Sequence, residues 1–285
     1  MSPSSEPILR FAPSPNGRLH LGHAYSALFT ARCAERLGGR VLLRIEDTDR
    51  ARCKPEFTEA IFADLRWLGL DWPEPVWRQS GRLPAYAGAA ERLRDMGLLY
   101  PCFCSRTEIA AAATAADPDG APIYPGTCRH LPTAESARRL AAGEAAQWRL
   151  HGAAAIDRAG VLTYTAAQPW PWDRPQIRYA RPDSWGDVVL VRKDAPASYH
   201  LSVVVDDAAQ GITHVTRGRD MEPSTDVHVL LQFLLGLRSP LYTFHKLILD
   251  NAGRKLAKSK GSPSLAELRA QGWTADDVKR ELGFG

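Results

Sequence analysis

The sequence predicts an α/β fold built on a parallel β-sheet, with a smaller segment inserted between the two halves of the sheet. A strand, a loop, a helix and a second strand follow one another within about the first 45 residues, and such a βαβ unit places its two strands in parallel. Strand and helix patterns return beyond residue 191, whereas residues 102–190 differ in texture. We therefore divide the chain into a first half at 1–101, an inserted subdomain at 102–190 and a second half at 191–285.

The first half is predicted from alternating strand and helix patterns. "EPILRFAPSP" predicts a short strand that runs into a proline-containing loop, and "LHLGHAYSALFTARCAERLGG" predicts a helix that ends at Gly38 and Gly39. "RVLLRIEDTD" predicts a second strand that ends in acidic residues. "FTEAIFADLRWLGL" and "YAGAAERLRDMGLLY" have the apolar spacing of helices and glycines near their ends.

The insert begins with "PCFCSRTEIAAAATAADPDGAPIYPGTCRHLP", an alanine-rich tract between two cysteine sites that we expect to be loosely ordered. Beyond the insert, "WGDVVLVRKD", "YHLSVVVDDAAQGITHVTRG" and "DVHVLLQFLLGL" predict the strands and helices of the second half of a doubly wound sheet. The chain ends with "HKLILDNAGRKLAKSKGS" and two predicted short helices.

Composition permits many functions and excludes a few. Of 285 residues, 45% are apolar, which is ample for a packed core, and 36 basic against 32 acidic residues leave a net charge of +4. That balance permits a nucleic-acid partner without requiring one. We find no apolar run long enough to span a membrane and no signal peptide, so we expect a cytoplasmic protein. The five cysteines do not suggest a disulfide framework, but Cys102, Cys104 and Cys128 are candidate metal ligands.

The junction between the first strand and its helix contains His20, Gly22 and His23. Ligands of parallel α/β sheets bind at such junctions, where the N-terminus of a helix favours phosphate. Gly22 would let a nucleotide approach the backbone, and the two imidazoles, three residues apart, could donate hydrogen bonds to a phosphate. The alternative is that one or both histidines merely cap or pack the helix.

A basic loop near the end of the chain, "GRKLAKSKG", carries Lys255, Lys258 and Lys260. Taken alone, it would be interpreted as a solvated run of charge. Together, however, H-x-G-H after the first strand and K-x-x-K-S after the last resemble the two signatures of class I aminoacyl-tRNA synthetases. Those enzymes join the carboxylate of an amino acid to the α-phosphate of ATP and release pyrophosphate.

More motifs narrow this resemblance to one branch of the class. "RFAPSPNGRLHLGHA", "RIEDTD", "DLRWLGLDW", "YPCFCSRTE", "SYHLSVVVDDAAQGITHVTRGRD" and "KLAKS" occur in the order found in glutamyl-tRNA synthetases and span nearly the whole chain. The resemblance implies a Rossmann-like class I catalytic domain with a parallel sheet, an inserted zinc-containing subdomain and ligase chemistry.

The resemblance also implies a glutamate site. Glu46 would receive the α-ammonium group of the substrate, and two arginines with one glutamate suit a ligand that has two carboxylates and one amine. For any one of these residues, an ordinary surface ion pair is the alternative. The implied glutamate-binding residues are Arg10, Phe11, Ala12, Pro13, Ser14, Glu46, Tyr199 and Arg217.

The implied ATP site combines the two signatures. His20, Gly22, His23, Lys255 and Lys258 would bind ATP, with Mg²⁺ accompanying the nucleotide. His20, His23 and Lys258 are the implied catalytic residues, and Lys258 would neutralise charge on the β- and γ-phosphates.

One residue differs from the family pattern at the implied ATP site, and two aspartates are not expected to act as acids. Ala257 stands where the family usually has serine, so we expect altered ATP affinity rather than inactivity. Asp206 and Asp207 are expected to be scaffold or ribose-side contacts rather than acid catalysts, because a substrate carboxylate is already ionised at neutral pH.

The cysteines are candidates for one structural zinc ion, which normally takes four ligands. Cys102, Cys104 and Cys128 supply three. For the fourth, the resemblance implies Tyr124, whereas His130 is chemically the more ordinary choice.

The chain ends about 25 residues after "KLAKS", so we expect no anticodon-binding domain. With the C-x-C…Y-x-x-x-C pattern, this resembles the glutamyl-queuosine tRNA(Asp) synthetases. The resemblance implies activation of glutamate by ATP without tRNA, then transfer of glutamate to queuosine in the anticodon of tRNA(Asp). It implies an anticodon stem-loop as partner, and we expect a monomer.

Two other readings of the sequence stay open. One is a compact glutamyl-tRNA synthetase paralogue that charges the 3′ end of a tRNA. The other is a non-catalytic tRNA-binding regulator, which the intact His20, His23, Glu46, Arg217 and Lys258 disfavour. Queuosine itself enters through the resemblance alone.

Overall fold

The first half of the chain forms the predicted βαβ unit. A computed structural model describes residues 6–168, 174–249 and 262–285. Strands β1 (Ile8–Phe11) and β2 (Arg40–Ile45) flank helix α1 (Leu21–Leu37) and pair in parallel. Gly38 ends α1 in the left-handed conformation, with φ of +63°, a backbone geometry that favours glycine. The predicted strands, helix and glycine stop are confirmed.

The next elements extend the same sheet. Helix α2 (Pro55–Trp67) leads to the short strand β3 (Trp77–Arg78), which pairs in parallel with β2, and helix α3 (Leu83–Asp95) follows. Both helices have proline in their first turn, where a missing amide hydrogen costs nothing.

A separate antiparallel sheet occupies the middle of the chain. It has the order β4 (Leu99–Cys102), β5 (Gln147–Leu150), β8 (Val189–Val191). We predicted that the segment of β8 belongs to the doubly wound sheet, and this is wrong. A three-residue apolar strand can pair with either sheet, because so short a segment has no sequence pattern that specifies its partner strand.

The alanine-rich tract of the insert begins within the short helix α4 (Arg106–Ala112), and among the described residues no further helix or strand forms before helix α5 (Thr133–Ala141), which is followed by α6 (Gly152–Ala159). The expectation that the rest of the tract is loosely ordered stays a prediction. Ser105 and Glu108 form a capping box at the start of α4, and alanine has the highest helix propensity, so a short helix is stable here.

The second half forms a four-stranded sheet of its own. Helix α7 (Tyr199–Ala209) precedes β9 (His214–Gly218), and helix α8 (Ser224–Leu234) precedes β10 (Leu241–His245). Strand β10 pairs in parallel with β9 and with β6 (Thr163–Ala166), while β7 (Gln176–Tyr179) is antiparallel to β6. Strand β6 thus joins the sheet of the second half, which has the order β7, β6, β10, β9, from within 102–190, and the three-part division of the chain stays a prediction.

A backbone hydrogen bond joins the sheets of the two halves. The amide of Thr213, just before β9, donates to the carbonyl of Ile8 on β1 at 2.9 Å. This contact places the carboxyl ends of β1, β9 and β10 at one edge, where parallel α/β proteins bind ligands.

The last described segment packs back onto α1. Helices α9 (Leu265–Ala270) and α10 (Ala275–Leu282) bury Leu265, Leu268 and Val278 in the apolar cluster that surrounds α1. No helix in the described ranges has both the length and the apolar character needed to cross a membrane.

Candidate active site

A cavity of about 730 Å³ opens at the carboxyl ends of β1, β9 and β10, beside the N-terminus of α1. Each described residue that the sequence assigned to glutamate or ATP lies in its wall, although the role of each residue stays a prediction. From the first half come Arg10, Phe11, Ala12, Pro13, Ser14, His20, Gly22, His23 and Glu46, and from the second half come Tyr199 and Arg217.

The two histidines cap helix α1 as well as lining the cavity. The amide of Gly22 donates to His20 Nδ1 at 3.1 Å, and the amide of His20 donates to His23 Nδ1 at 3.2 Å. Because each Nδ1 accepts a hydrogen bond, each neutral ring carries its proton on Nε2. The capping alternative and the phosphate-site prediction are therefore compatible, since capping fixes both rings as Nε2–H donors.

Gly22 is required at this turn by the ring of His20. A Cβ atom at position 22 would lie 3.0 Å from His20 Cε1 and 3.1 Å from His20 Nδ1. Any side chain there would press on the imidazole that caps the helix.

Beneath the cavity lies a buried network of charges. Arg10 Nε donates to Asp207 at 3.1 Å, Arg44 Nη1 donates to the same carboxylate at 2.7 Å, and Arg44 Nη2 donates to Glu46 at 3.1 Å. Although burial opposes its ionisation, the two guanidinium groups lower the pKa of Asp207. Burial raises the pKa of Glu46 despite Arg44. Arg10 and Glu46 thus already have ionic partners, and these pairs are buried rather than at the surface.

Asp206 belongs to the scaffold behind this network. Its carboxylate accepts hydrogen bonds from Tyr86 at 2.7 Å, Arg82 at 3.0 Å and Gln79 at 3.2 Å, and the residue is fully buried. Neither Asp206 nor Asp207 lines the cavity. Both aspartates therefore lie in the scaffold beneath the cavity, and the expectation that neither is an acid catalyst stays a prediction.

Arg217 differs from Arg10 because it has no carboxylate partner within 4.0 Å among the described residues. Its side chain extends from β9, and the residue is 6% exposed. Nη2 donates to Thr225 Oγ1 at 2.7 Å and Nη1 lies 3.3 Å from His228 Nδ1, whereas Nε has no hydrogen-bond partner in this part of the chain. A buried cation with neutral partners only attracts an anion.

Tyr199 stands at the start of α7, where the hydroxyl of Ser198 caps the helix. The residue is 38% exposed, and its ring lies 5.5 Å from the ring of His228 and 5.6 Å from that of His200. Tyr199 therefore separates this histidine pair from the cavity, and its phenol is available at the wall.

The predicted ATP residues Lys255 and Lys258, together with Ala257 and Lys260, lie outside the described residues. The chain on either side of that interval reaches the cavity. Ile248 lines the wall, and Ser264 pairs with His20 in an isolated β-bridge.

Three thiols come together in the insert, as the sequence predicted. The Sγ atoms of Cys102, Cys104 and Cys128 all lie within 4.8 Å of one another, and those of Cys104 and Cys128 are 3.5 Å apart. Although burial opposes ionisation, hydrogen bonds from Tyr124 and Gln147, among other contacts, lower the pKa of Cys102 to about 7.

The structure separates the two candidates for a fourth ligand. The hydroxyl of Tyr124 lies 3.6 Å from Cys104 Sγ and accepts a hydrogen bond from the amide of Cys128 at 2.7 Å. His130 is exposed, and its ring is not part of the thiol group among the described residues. Tyr124 thus lies beside the thiols, and its role as fourth ligand stays a prediction.

Sequence reasoning missed several residues that shape the site. Arg44 could have been found, because it lies two residues before Glu46 and therefore on the same face of β2. Thr225 and His228 lie inside an apolar helix pattern that carries no such signal, and their role is visible only through their contacts with Arg217.

The chain matches one protein family over nearly its whole length. Residues 8–281 match the family model for the catalytic domain of tRNA synthetases class I (E and Q). The chain belongs to the class I tRNA synthetases (E and Q). The predicted class I catalytic domain with a parallel sheet is confirmed.

Relatives within this family differ in how much of their length they share with the chain. The glutamyl-Q tRNA(Asp) synthetase of Rhodobacter capsulatus is 47% identical over 283 residues, covering 97% of this chain and 100% of that protein. Glutamate–tRNA ligase 2 of a Methylobacterium species is 41% identical over 268 residues, covering 94% of this chain and 57% of that protein.

Solved structures of the family agree with the fold. A glutamate tRNA ligase from Elizabethkingia meningosepticum, crystallised in complex with its amino acid, matches with a TM-score of 0.71 at 29% identity. The match covers 90% of this chain and 53% of that one. This chain thus spans little more than half of the glutamate ligases that it matches.

Proposed function

We propose that this class I synthetase activates glutamate with ATP and then transfers it to queuosine in the anticodon of tRNA(Asp). One observation carries the first half of the proposal. Arg217 is a buried cation in the cavity wall that has no carboxylate partner within 4.0 Å among the described residues. A bound carboxylate would supply the missing negative charge.

The charges around the cavity suit glutamate as the amino acid. Arg217 lines the cavity without a carboxylate partner among the described residues, and Arg10 lines the same cavity while its Nε and Nη1 are held by Asp207 and Thr216. Glu46 is the acidic residue that would receive the α-ammonium group. Binding of that cation would offset the cost of keeping Glu46 ionised in its buried position.

At the phosphate end, His20 and His23 would stabilise charge rather than transfer protons. An ionised carboxylate oxygen of glutamate attacks the α-phosphorus of ATP, the bond to the β-phosphate oxygen breaks, and pyrophosphate leaves with the negative charge. This step needs no general base. The two Nε2–H groups and the N-terminus of α1 would hydrogen-bond phosphate oxygens as their charge grows.

The basic loop would complete the ATP site. Lys255 and Lys258 would pair with phosphate oxygens, and Mg²⁺ bound with ATP would neutralise further charge on the phosphates. Among the described residues that flank these lysines, Ile248 lines the cavity and Ser264 pairs with His20 of the cavity wall.

The choice of acceptor rests on the relatives. The glutamyl-Q tRNA(Asp) synthetase of R. capsulatus matches this chain over its full length, which supports an anticodon stem-loop of tRNA(Asp) as the partner. Such a loop would be held through its phosphates by basic residues and recognised through its unpaired bases.

The decisive experiment supplies radiolabelled glutamate and ATP to three RNAs: tRNA(Asp) with queuosine, tRNA(Asp) without it, and tRNA(Glu). We expect label on the queuosine-containing tRNA alone, and we expect the label to persist after the 3′ end is removed. Label at the 3′ end of tRNA(Glu) would instead identify a compact charging enzyme. No glutamate-dependent exchange between ATP and pyrophosphate would overturn the activation step itself.

We also propose one structural zinc ion, held by Cys102, Cys104, Cys128 and Tyr124. The donor set fits, because tetrahedral zinc with Zn–S bonds of about 2.3 Å places sulfurs about 3.8 Å apart, and the thiols already lie within 4.8 Å of one another. The ion would tie the start of the insert to the Tyr124–Cys128 segment. Protein purified without chelator should contain one zinc per chain by elemental analysis, and a metal-free folded protein would refute the site.

A further inference from the structure

Helix α8 presents two polar side chains to Arg217, and no motif of the sequence predicted either of them. Thr225 Oγ1 accepts from Nη2 at 2.7 Å, and His228 Nδ1 lies 3.3 Å from Nη1. Thr225 is fully buried and His228 is 2% exposed. Both contacts therefore form away from water, where hydrogen-bond geometry is strictly maintained.

The chemistry of the pair fixes the state of His228. A guanidinium group has five N–H donors and no acceptor, so His228 Nδ1 must accept from Nη1 and must be unprotonated. The same conclusion follows from its surroundings. Burial is the main cause that lowers the pKa of His228 well below its usual range. The positive charge of Arg217 lowers it further, as do His200 and Arg10.

Among the described residues, no carboxylate faces His228 that would favour its protonated form. Arg217 faces it from β9, and the rings of Tyr199 and His200 face it from α7 at 5.5 and 5.4 Å. Burial and Arg217 likewise lower the pKa of His200, to about 4. The described groups that face Arg217 from α7 and α8 are thus neutral at pH 7. They leave the positive charge of Arg217 available to an anion in the cavity.

We propose that Thr225 and His228 are positioning residues of the amino-acid site, which orient the Arg217 guanidinium without contacting the substrate. This inference rests on the proposed function, because it assumes that Arg217 binds a carboxylate of glutamate. Two neutral acceptors hold two of the nitrogens and leave Nε without a described partner. An acidic residue at either position would neutralise the cation and compete with the substrate.

The test compares matched variants by glutamate-dependent ATP–pyrophosphate exchange. Thr225→Val and His228→Leu remove one acceptor each with little change in volume. Each should raise the KM for glutamate about tenfold, as expected for loss of a hydrogen bond to a charged group, while the KM for ATP changes less than about twofold. His228→Asn, whose amide oxygen can replace Nδ1, should recover most of the loss.

Ser224→Ala is the control, because Ser224 is fully buried on the same turn of α8 and its hydroxyl has no partner among the described residues. An unchanged KM for glutamate in both Thr225→Val and His228→Leu would overturn the inference. So would an equal rise in both KM values, or no recovery with His228→Asn, since each would indicate a general packing defect. Wild-type protein without any glutamate-dependent exchange would overturn the proposed function as well.

Discussion

The charge network below the cavity and the thiol cluster of the insert are built on opposite principles. In the network, Arg10 and Arg44 neutralise Asp207, so most of its charges are satisfied within the protein. The thiol cluster gathers three groups of one kind, whose ionised forms would repel one another. The first cluster is therefore neutralised by its own residues, beside Arg217, which has no carboxylate partner among the described residues, whereas the second would gain stability from a bound cation.

The largest expected effect comes from removing that unsatisfied cation. Arg217→Met should lower kcat/KM for glutamate in ATP–pyrophosphate exchange by at least about 30-fold, because a buried charge pair between enzyme and substrate contributes about 2–5 kcal/mol. Arg217→Lys should recover little, because an ammonium group cannot reproduce the planar geometry of guanidinium. A KM for ATP close to that of wild type is the control, and undiminished use of glutamate would remove Arg217 from the amino-acid site.

Breaking the satisfied part of the network should affect stability. Asp207→Asn leaves Arg10 and Arg44 buried without their shared carboxylate, and we expect a loss of about 3–5 kcal/mol in the free energy of unfolding. Urea denaturation measures it. Asp276→Asn, in an exposed pair with Lys279, is the matched control and should unfold like wild type. Equal midpoints for both variants would show that the network does not stabilise the fold.

The same aspartate should also give stability an acid limit. Its pKa is lower in the folded protein than in the unfolded chain, so its contribution is fully present above the unfolded value of about 4. The contribution is lost as the pH falls through the folded-state pKa. The slope of stability against pH in this range should be smaller in Asp207→Asn than in wild type.

A substitution in the thiol cluster is expected to change the zinc content of the protein. Cys128→Ser should lose most of its zinc and become less stable, because metal binding contributes directly to the folding free energy. Cys53→Ser is the matched control, since Cys53 is a free thiol outside the cluster. Elemental analysis of the two purified variants makes the comparison, and equal zinc in both would place the ion elsewhere.

The smallest predicted effect distinguishes the two candidate fourth ligands. Tyr124→Phe should release zinc to a chelator about tenfold faster than wild type, because it loses the hydroxyl that lies beside Cys104. His130→Ala should release zinc at the wild-type rate, since His130 is exposed and apart from the thiols. The reverse order would make His130 the ligand.

Much of the candidate site was predictable because its residues follow strands or begin helices. Arg10 to Ser14, Glu46, Arg217 and the His20–His23 turn each occupy the carboxyl end of a strand or the first turn of a helix, and a parallel sheet brings such positions to one edge. The prediction failed for β8, whose three residues pair with β5. Such a strand carries too little pattern to specify its partner.

By itself the sequence determined the βαβ unit, the glycine stop of α1, the motifs of the family and part of the cavity lining, because these depend on local spacing. Only the tertiary structure decided which charges are satisfied. Arg10 and Arg217 look alike in the sequence, yet one shares Asp207 with Arg44 while the other, among the described residues, has hydrogen-bond partners at Thr225 and His228 and no carboxylate partner. Asp207 is 197 residues from Arg10 and 163 from Arg44. Electrostatic partners are fixed by distance in space, which packing across the whole sheet sets and sequence spacing does not.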